Sequence, residues 1–385
     1  MSRILLLSPW CPPPDGVGFH SRSLVESWRA AGHEVLVITS GSPEPEDSSP
    51  RADNNGIHVL KILGMLPRGT AARALHSYRP DVVIVQFTIA SQSTTLLSTL
   101  RVMNVAKRSG VPVVVAFHEP SRELNRLGPL TRWIYRLAAR NTSTPVAYSP
   151  AGAAALMKAG IFASVADVPH GSTPFREVSL SDVAEVRDRF AITAPLVLSL
   201  GFAHPDKGTE LLVSSIREVD RRLKGDVQFL IAGSARQRRG IFRLMGRTDQ
   251  RFHQMLMERI SELSDVSIDV RGFVPEEDVA ALLYVASAVV LPYRRATQSG
   301  MANLALGAGA VIVASDIREL RGDLGPAARY FRSGSVADLS ETLESVLKSP
   351  QDQLRSAAVA RASERSFDVT AERLLDVGLV GREVS

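Results

Sequence analysis

One lysine stands where residue type and position together suit a phosphate group. Lys207 lies in the segment GFAHPDKG, directly before a helical pattern that begins at residue 209. A cation beside the free N–H groups of a helix N-terminus forms an anion site. The chain has only six lysines, so a lysine at this place carries more information than one on a lysine-rich surface. We therefore interpret Lys207 as a phosphate ligand rather than a solvated surface residue.

A second candidate segment follows an apolar run at 288–292. Gln298, Ser299, Gly300 and Met301 open a helix rich in small residues, and their successive N–H groups suit a diphosphate. Ser299 is also a favourable N-cap residue. The ligand-binding and the structural interpretations are compatible with each other.

Two further junctions lie in the first half of the chain. In PPPDGVG, Gly16 and Gly18 permit close approach of the backbone to a ligand, although a tight turn explains the same glycines. His118 and Glu119 end an apolar run, where His118 can bind a sugar hydroxyl or transfer a proton. A histidine held by a backbone carbonyl fits the same position, and the residue types favour neither interpretation.

Several other chemistries lack their motifs. The chain has no GxxxxGK[ST] loop, no GxSxG turn, no histidine pair with zincin spacing and no Asp-x-Asp triplet. The glycine turn is a poor dinucleotide fingerprint, because Ser21 occupies the third glycine position and Thr39 and Ser40 stand where an acid should close the second strand. Cys11 is the only cysteine, so we expect no internal disulfide and no cysteine-cluster metal site. A nicotinamide-dependent dehydrogenase is disfavoured.

These junctions need elements that position them, and the chain alternates short β-branched runs with helical periodicity. Strands are predicted at 4–8, 34–39, 57–62, 81–86, 112–118 and 145–149, and again at 195–201, 227–233, 266–272, 288–292 and 310–315. Helices are predicted at 21–31, 94–108, 130–140, 209–221, 251–263, 275–285, 300–307 and 369–380. The strand runs are almost continuously apolar, which is typical of parallel strands buried on both faces.

The alternation occurs twice along the chain. It predicts an α/β protein of two Rossmann-like, doubly wound parallel-sheet domains that face a central cleft, with ligands at the carboxyl ends of the strands. We expect the first domain to span residues 1–172 and the second 173–365, divided within the turn-rich PHGSTP. Residues 366–385 are expected to form a helix that packs back toward the first domain.

Composition limits where the protein works. The 385 residues are 45% hydrophobic, and no apolar run approaches the about 20 residues of a membrane-spanning helix. The apolar N-terminus is too short for a secretory signal, so we expect a cytoplasmic protein. The arginine-rich stretch 236–251 is interpreted first as a solvated loop and second as a clamp on an anionic acceptor or on membrane phosphates. A second basic series at 122–140 is interpreted first as helix-surface charge and second as a peripheral contact with the inner face of a membrane. Nucleic acid is not expected as a partner, because no binding module accompanies the charge.

Taken together, these segments resemble the GT-B-fold glycosyltransferases, in particular the retaining family 4 group. The resemblance rests on PPPDGVG, AAGHEVLVIT, the strand-end His118, VPHG, SLGFAHPDKG, LIAG, and RGFVPEEDVAALLYVASAVVLPY followed by QSGMANLALGAGAVIVASD. It spans nearly the whole chain. It implies transfer of a sugar from a nucleotide-diphosphate sugar, most often a UDP-sugar, to an acceptor hydroxyl, with retention and without a metal or other cofactor.

The resemblance also implies roles for individual residues. Lys207 contacts the diphosphate and His118 the transferred sugar, so both are assigned to catalysis. The further donor-binding residues are Gly16, Gly18, Phe273, Val274, Gln298, Ser299, Gly300, Met301 and Asn303. On the acceptor side, in the first domain, we assign His20, Gln86 and Glu119. The acceptor itself is a saccharide, a lipid-linked glycan or a small molecule.

The chain departs from the group at two glutamates that usually flank the last small-residue helix. Their positions fall on Ala296 and Leu304. Asn303 or Ser299 is a candidate to replace the second glutamate at the ribose, and Gln298 to replace the first at the sugar. Because His118 and Lys207 are present, we expect a divergent active enzyme. The alternative is a non-catalytic GT-B-like protein that binds a nucleotide sugar or scaffolds an assembly.

Overall fold

The chain folds as two compact units. The computed structural model describes residues 1–10, 16–40, 51–52, 56–62, 75–89, 95–126, 128–172, 178–235, 243–296 and 299–379. The first unit comprises Met1–Gly171 together with Arg365–Ser385, and the second comprises Ser172–Glu364. Each unit is an α/β structure built on one mainly parallel sheet, so the predicted fold class is confirmed.

The elements follow the predicted alternation closely. The strands are β1 (Arg3–Leu7), β2 (Glu34–Ser40), β3 (Arg51–Ala52), β4 (His58–Ile62), β5 (Val82–Phe87), β6 (Val113–Phe117), β7 (Thr144–Ala147), β8 (Ala166–Asp167), β9 (Leu196–Leu200), β10 (Gln228–Ala232), β11 (Ile268–Arg271), β12 (Ala288–Leu291), β13 (Ile312–Ser315) and β14 (Ala328–Phe331). The helices are α1 (Gly16–Ala30), α2 (Leu96–Arg108), α3 (Pro120–Arg126), α4 (Gly128–Ala139), α5 (Pro150–Lys158), α6 (Leu180–Arg189), α7 (Thr209–Arg222), α8 (Arg243–Ser261), α9 (Glu276–Val285), α10 (Gly300–Gly307), α11 (Arg318–Leu324), α12 (Val336–Lys348), α13 (Asp352–Glu364) and α14 (Phe367–Leu379).

The first sheet has the strand order β3-β4-β2-β1-β5-β6-β7-β8, and the short β3 is its antiparallel strand. All side chains of β5 and β6 are buried. Helices cover both faces of these central strands, which is why their sequences are continuous apolar runs.

The second sheet has the order β11-β10-β9-β12-β13-β14 and is parallel throughout. The sequence predicts its strands except β14. This edge strand, ARYF, is buried at its two ends but has an exposed Arg329 and a partly exposed Tyr330 between them, so it lacks the continuous apolar run of the central strands.

Two helices begin five or more residues before their predicted starts. Helix α1 begins at Gly16, so Gly16 and Gly18 lie in its first turn. The interpretation of these glycines as a tight turn is therefore wrong. Helix α8 begins at Arg243 rather than at 251, so the last part of the arginine-rich stretch is helical and not a loop.

The C-terminal helix α14 belongs to the first unit. The indole Nε1 of Trp28 on α1 donates a hydrogen bond to the carbonyl of Ala371 at 2.9 Å. Gly378 lies so close to the sheet that an added Cβ would be 2.8 Å from the Val114 side chain. Ala371 and the neighbouring leucines of α14 are part of the core that covers β1, β5 and β6.

Candidate functional site

The loop after β9 places Lys207 at the carboxyl end of the second sheet. It forms a 3-10 turn, Pro205–Lys207, in which His204 Nδ1 accepts a hydrogen bond from the N–H of Asp206 at 3.1 Å. Lys207 therefore ends a turn before α7 rather than beginning the helix. Gly208 follows with a φ of 64°, and an added Cβ there would lie 1.9 Å from the carbonyl oxygen of Pro292. Glycine lets this loop approach the loop after the neighbouring strand β12.

Substitution of Gly208 tests that approach. Gly208→Ala is expected to lower the free energy of unfolding by about 3 kcal/mol, because a backbone clash adds to the strain of a left-handed φ. Gly225→Ala is the matched control: its φ is 80° but no atom lies within 4 Å of an added Cβ. In Gly225→Ala the free energy of unfolding is expected to fall by only about 1 kcal/mol. Urea unfolding measures both, and equal losses would contradict the close packing of the two loops.

Tyr293 links Lys207 to the start of α10. The Lys207 ammonium lies 3.8 Å from the centre of the Tyr293 ring, in cation–π contact. The Tyr293 hydroxyl accepts a hydrogen bond from Ser299 Oγ at 3.1 Å, and Ser299 Oγ in turn accepts the N–H of Ala302 at 3.1 Å. The structure thus brings together Lys207 and the N-terminus of α10. The first N–H groups of that helix, from Gly300 and Met301, have no partner within the helix.

The other predicted donor residues fall in different environments. Phe273, after β11, is 78% exposed, whereas its neighbour Val274 is packed in the hydrophobic core. Asn303 is buried on α10. Gln298 lies outside the described residues. Ser299 uses its hydroxyl for the helix cap and for the hydrogen bond to Tyr293.

The sequence patterns do not identify Tyr293 as a site residue. It directly follows a buried strand and Pro292, and an aromatic residue at a strand end was the available signal. Ala296 and Leu304 occupy the two positions of the absent glutamates. Ala296 packs against the core, and Leu304 is partly exposed on α10. The Lys207 ammonium therefore contacts an aromatic ring, and neither of these two positions supplies a carboxylate to pair with it.

A second group of polar residues lies at the carboxyl end of the first sheet. Strands β5, β6 and β7 are neighbours in register, with Phe87 opposite Phe117 and Phe117 opposite Ala147. His118 and Tyr148 directly follow their strands, and Gln86, which pairs with Ala116, lies one pair earlier on the same face of the sheet. His118 Nε2 and the Tyr148 hydroxyl lie 2.7 Å and 2.9 Å from Gln86 Oε1.

Two more histidines complete this group, which we call the histidine cluster: His20, His118 and His170. The His20 ring, on α1, lies 5.1 Å from His118 and 4.2 Å from His170 between ring centres. Both ring nitrogens of His20 are buried and have no hydrogen-bond partner among the described residues. His170 belongs to the VPHG segment, and the sequence alone does not identify it as a site residue.

The histidine cluster is uncharged at neutral pH. Burial lowers the pKa of His20 and of His118 well below 6.5, and the neighbouring His170 lowers both further. Burial lowers the pKa of His170 to about 4, although its contact with the Gly171 carbonyl opposes this shift. Neutral imidazoles in this setting can donate and accept hydrogen bonds but carry no charge to the site.

The remaining predicted residues of the first unit are less central. Glu119 is partly exposed and forms an ion pair with Arg122 at 3.1 Å. Gly16 and Gly18 open α1, the helix that carries His20. In the part of the chain that the structure describes, no three His, Cys, Asp or Glu side chains are grouped so that they could hold a metal ion.

Comparison with known proteins gives matches along most of the chain. The family models Glycosyltransferase Family 4 and Glycosyl transferases group 1 match residues 14–171 and 194–349, respectively. A phosphatidyl-myo-inositol mannosyltransferase from Mycolicibacterium smegmatis is 25% identical over 369 residues, which cover 94% of this chain and 89% of the relative.

Solved structures are similar over both units. HepE from Anabaena, in complex with UDP and glucose, has a TM-score of 0.72 at 17% identity and covers 99% of this chain and 100% of its own. Sucrose-phosphate synthase from Thermosynechococcus elongatus has a TM-score of 0.71 at 17% identity, over 100% and 99%. A UDP-forming trehalose-phosphate synthase from Burkholderia xenovorans has a TM-score of 0.73 at 13% identity, over 100% of both chains.

Proposed function

Because the chain belongs to the GT-B-fold glycosyltransferases of the family 4 type, we propose that it transfers a hexose from a UDP-sugar to an acceptor hydroxyl, with retention and without a bound metal ion. One observation carries this proposal: Lys207 and the N-terminus of α10 meet at Tyr293. UDP as the nucleotide is supported by the similar structures that hold UDP or form it.

The chemistry follows from where charge develops. As the sugar–phosphate bond breaks, negative charge builds on the diphosphate that leaves. The Lys207 ammonium and the N–H groups of Gly300 and Met301 stabilise that charge. Charge neutralisation by these groups replaces the divalent cation that other nucleotide-sugar enzymes require, which is the basis for proposing metal independence.

We assign contact with the transferred sugar to His118 and the acceptor side to the first unit. His118 is neutral, so it serves as a hydrogen-bond partner rather than as a cation. His20 and Glu119 remain the proposed acceptor-side residues. Gln86 is fully buried against His118 and Tyr148, and we reassign it from acceptor binding to the support of His118.

A nucleotide-release assay tests the activity. The purified protein is incubated with UDP-glucose, UDP-galactose, GDP-mannose or dTDP-glucose, with and without candidate acceptors. We expect release of nucleotide from one of them, faster with the acceptor. Binding without release would support the alternative, a non-catalytic protein that binds nucleotide sugars. That alternative is motivated by the absent glutamates at Ala296 and Leu304.

We further propose a lipid-linked acceptor and a location at the inner face of the membrane. The mannosyltransferase relative is named for a phosphatidylinositol acceptor. Helix α4 exposes Leu130 by 65% and Trp133 by 56%, beside Arg132 and Arg136, and its sequence contains no acidic residue. Apolar and aromatic side chains flanked by arginine suit an anionic lipid surface. None of the described helices is long and apolar enough to span a bilayer.

Vesicle sedimentation checks the membrane proposal. The protein is expected to bind phosphatidylglycerol vesicles and not phosphatidylcholine vesicles, more weakly at physiological than at low salt. Removal of both Arg132 and Arg136 is expected to weaken binding roughly 30-fold, at about 1 kcal/mol per arginine. Trp133→Ser is expected to weaken it too, whereas Leu180→Ser, at a leucine of the second unit that is 88% exposed, serves as the neutral control. Equal binding to both vesicle types would contradict the proposal.

A further inference from the structure

We propose that Gln86 and Tyr148 are positioning residues that hold His118 as the tautomer protonated at Nε2, so that Nδ1 presents its lone pair to a hydroxyl of the bound substrate. The part that concerns the substrate rests on the proposed function. The tautomer itself is a property of the protein alone.

The hydrogen bonds around Gln86 define the tautomer. Its side-chain carbonyl oxygen lies 2.7 Å from His118 Nε2 and 2.9 Å from the Tyr148 hydroxyl. A carbonyl oxygen has two lone pairs and only accepts, so it is matched by two donors. One donor is the Tyr148 O–H, and the other must be an N–H at His118 Nε2.

The surroundings of His118 then fix where its lone pair lies. The ring is buried and neutral, with His20 at 5.1 Å and His170 at 6.1 Å between ring centres, and a neutral imidazole carries a single N–H. With that proton on Nε2, Nδ1 is an acceptor. Nδ1 makes no hydrogen bond to any residue within the described ranges.

The fold holds these three side chains rigidly. They lie at the ends of the adjacent strands β5, β6 and β7, and all three are buried. The His118 backbone N–H also donates to the carbonyl of Phe87 at 3.1 Å, which ties the end of β6 to the end of β5. A ring fixed at one nitrogen by a buried partner offers the other nitrogen in a single direction.

Histidine NMR on the full chain without any donor tests this inference. Carbon and nitrogen shifts of the imidazole distinguish the two neutral tautomers, and the His118 signal is assigned by its loss in His118→Asn. We expect the Nε2–H tautomer in the wild type. Gln86→Leu, which removes the acceptor, is expected to lose this preference. Gln86→Glu keeps an acceptor, so it is expected to retain the Nε2–H tautomer and to raise the pKa of His118 through its negative charge.

Two results would overturn the inference. One is an Nδ1–H tautomer in the wild type, which would mean that the amide nitrogen of Gln86 faces the ring. The other is an unchanged His118 signal in Gln86→Leu. Tyr148→Phe gives a milder test, since it removes only one hydroxyl from a buried ring. A partial loss of the Nε2–H preference would support the positioning role of Tyr148. An unchanged preference would show that Tyr148 has no such role. Because no nucleotide sugar is present, these outcomes are independent of whether the transfer activity is found.

Discussion

Lys207→Ala is expected to reduce the rate of nucleotide release by about 10²–10³-fold, the usual effect of removing one preorganised group that stabilises charge in the transition state. The side chain is partly exposed at the end of a turn and its ammonium rests on the Tyr293 ring. Its removal leaves no buried charge and no large cavity, so the fold should persist. Steady-state rates with the active nucleotide sugar, together with circular dichroism, measure both effects.

Two sets of variants make this prediction specific. Lys224→Ala removes an exposed lysine of the same unit and is expected to leave the rate unchanged. Tyr293→Phe keeps the ring under the ammonium and loses only the hydroxyl that bonds to Ser299, whereas Tyr293→Leu loses both. We therefore expect a larger rate loss in Tyr293→Leu than in Tyr293→Phe. A Lys207→Ala variant with near-normal turnover would refute the proposed donor site.

Acidification is expected to destabilise the first unit strongly. The pKa values of His20, His118 and His170 are lower in the folded chain than the 6.5 of a free histidine. Between the folded and the unfolded pKa, the unfolded state binds more protons, so the free energy of unfolding falls as the pH drops below 6.5. For one histidine with a folded pKa near 4, the loss at pH 5 is about 2 kcal/mol. Well above pH 7 the three groups are neutral in both states, so they contribute little pH dependence there.

Tryptophan fluorescence is a selective probe for this effect. Trp10, Trp28 and Trp133 are the only tryptophans, and all lie in the first unit. Urea unfolding followed by fluorescence is expected to show a lower midpoint at pH 5 than at pH 7.5. His170→Gln removes one of the three groups and should reduce the difference between the two midpoints. Equal midpoints at both pH values in the wild type would contradict the buried, neutral state of the cluster.

The sequence predicts the framework because central parallel strands have a simple pattern. The apolar runs that became β5, β6, β9 and β12 are buried on both faces, and the polar residues after them are therefore at a sheet edge. Lys207 and Ser299 were found in this way. The edge strand β14 was missed, because half of its side chains contact solvent.

Contacts between distant segments were beyond the sequence patterns. The approach of His170 to His20 depends on how the chain after β8 meets α1, and no local periodicity encodes that distance. The contact of Lys207 with Tyr293 likewise depends on the pairing of β9 with β12, which brings two loops together across some 85 residues. Gly208 belongs to the GFAHPDKG segment, but the steric requirement for glycine beside the Pro292 carbonyl becomes visible only when the two loops are packed together.

The central claim is that Lys207 and the N-terminus of α10 bind the diphosphate of a nucleotide sugar, and a thermal shift measurement tests it most directly. The wild type and Lys207→Ala are each heated with UDP, GDP, dTDP or buffer. One nucleotide at about 100 times its dissociation constant should stabilise the wild type by about 2.7 kcal/mol. We predict that this stabilisation is largely lost in Lys207→Ala. Equal stabilisation of both proteins, or none of the wild type by any of the three nucleotides, would contradict the claim.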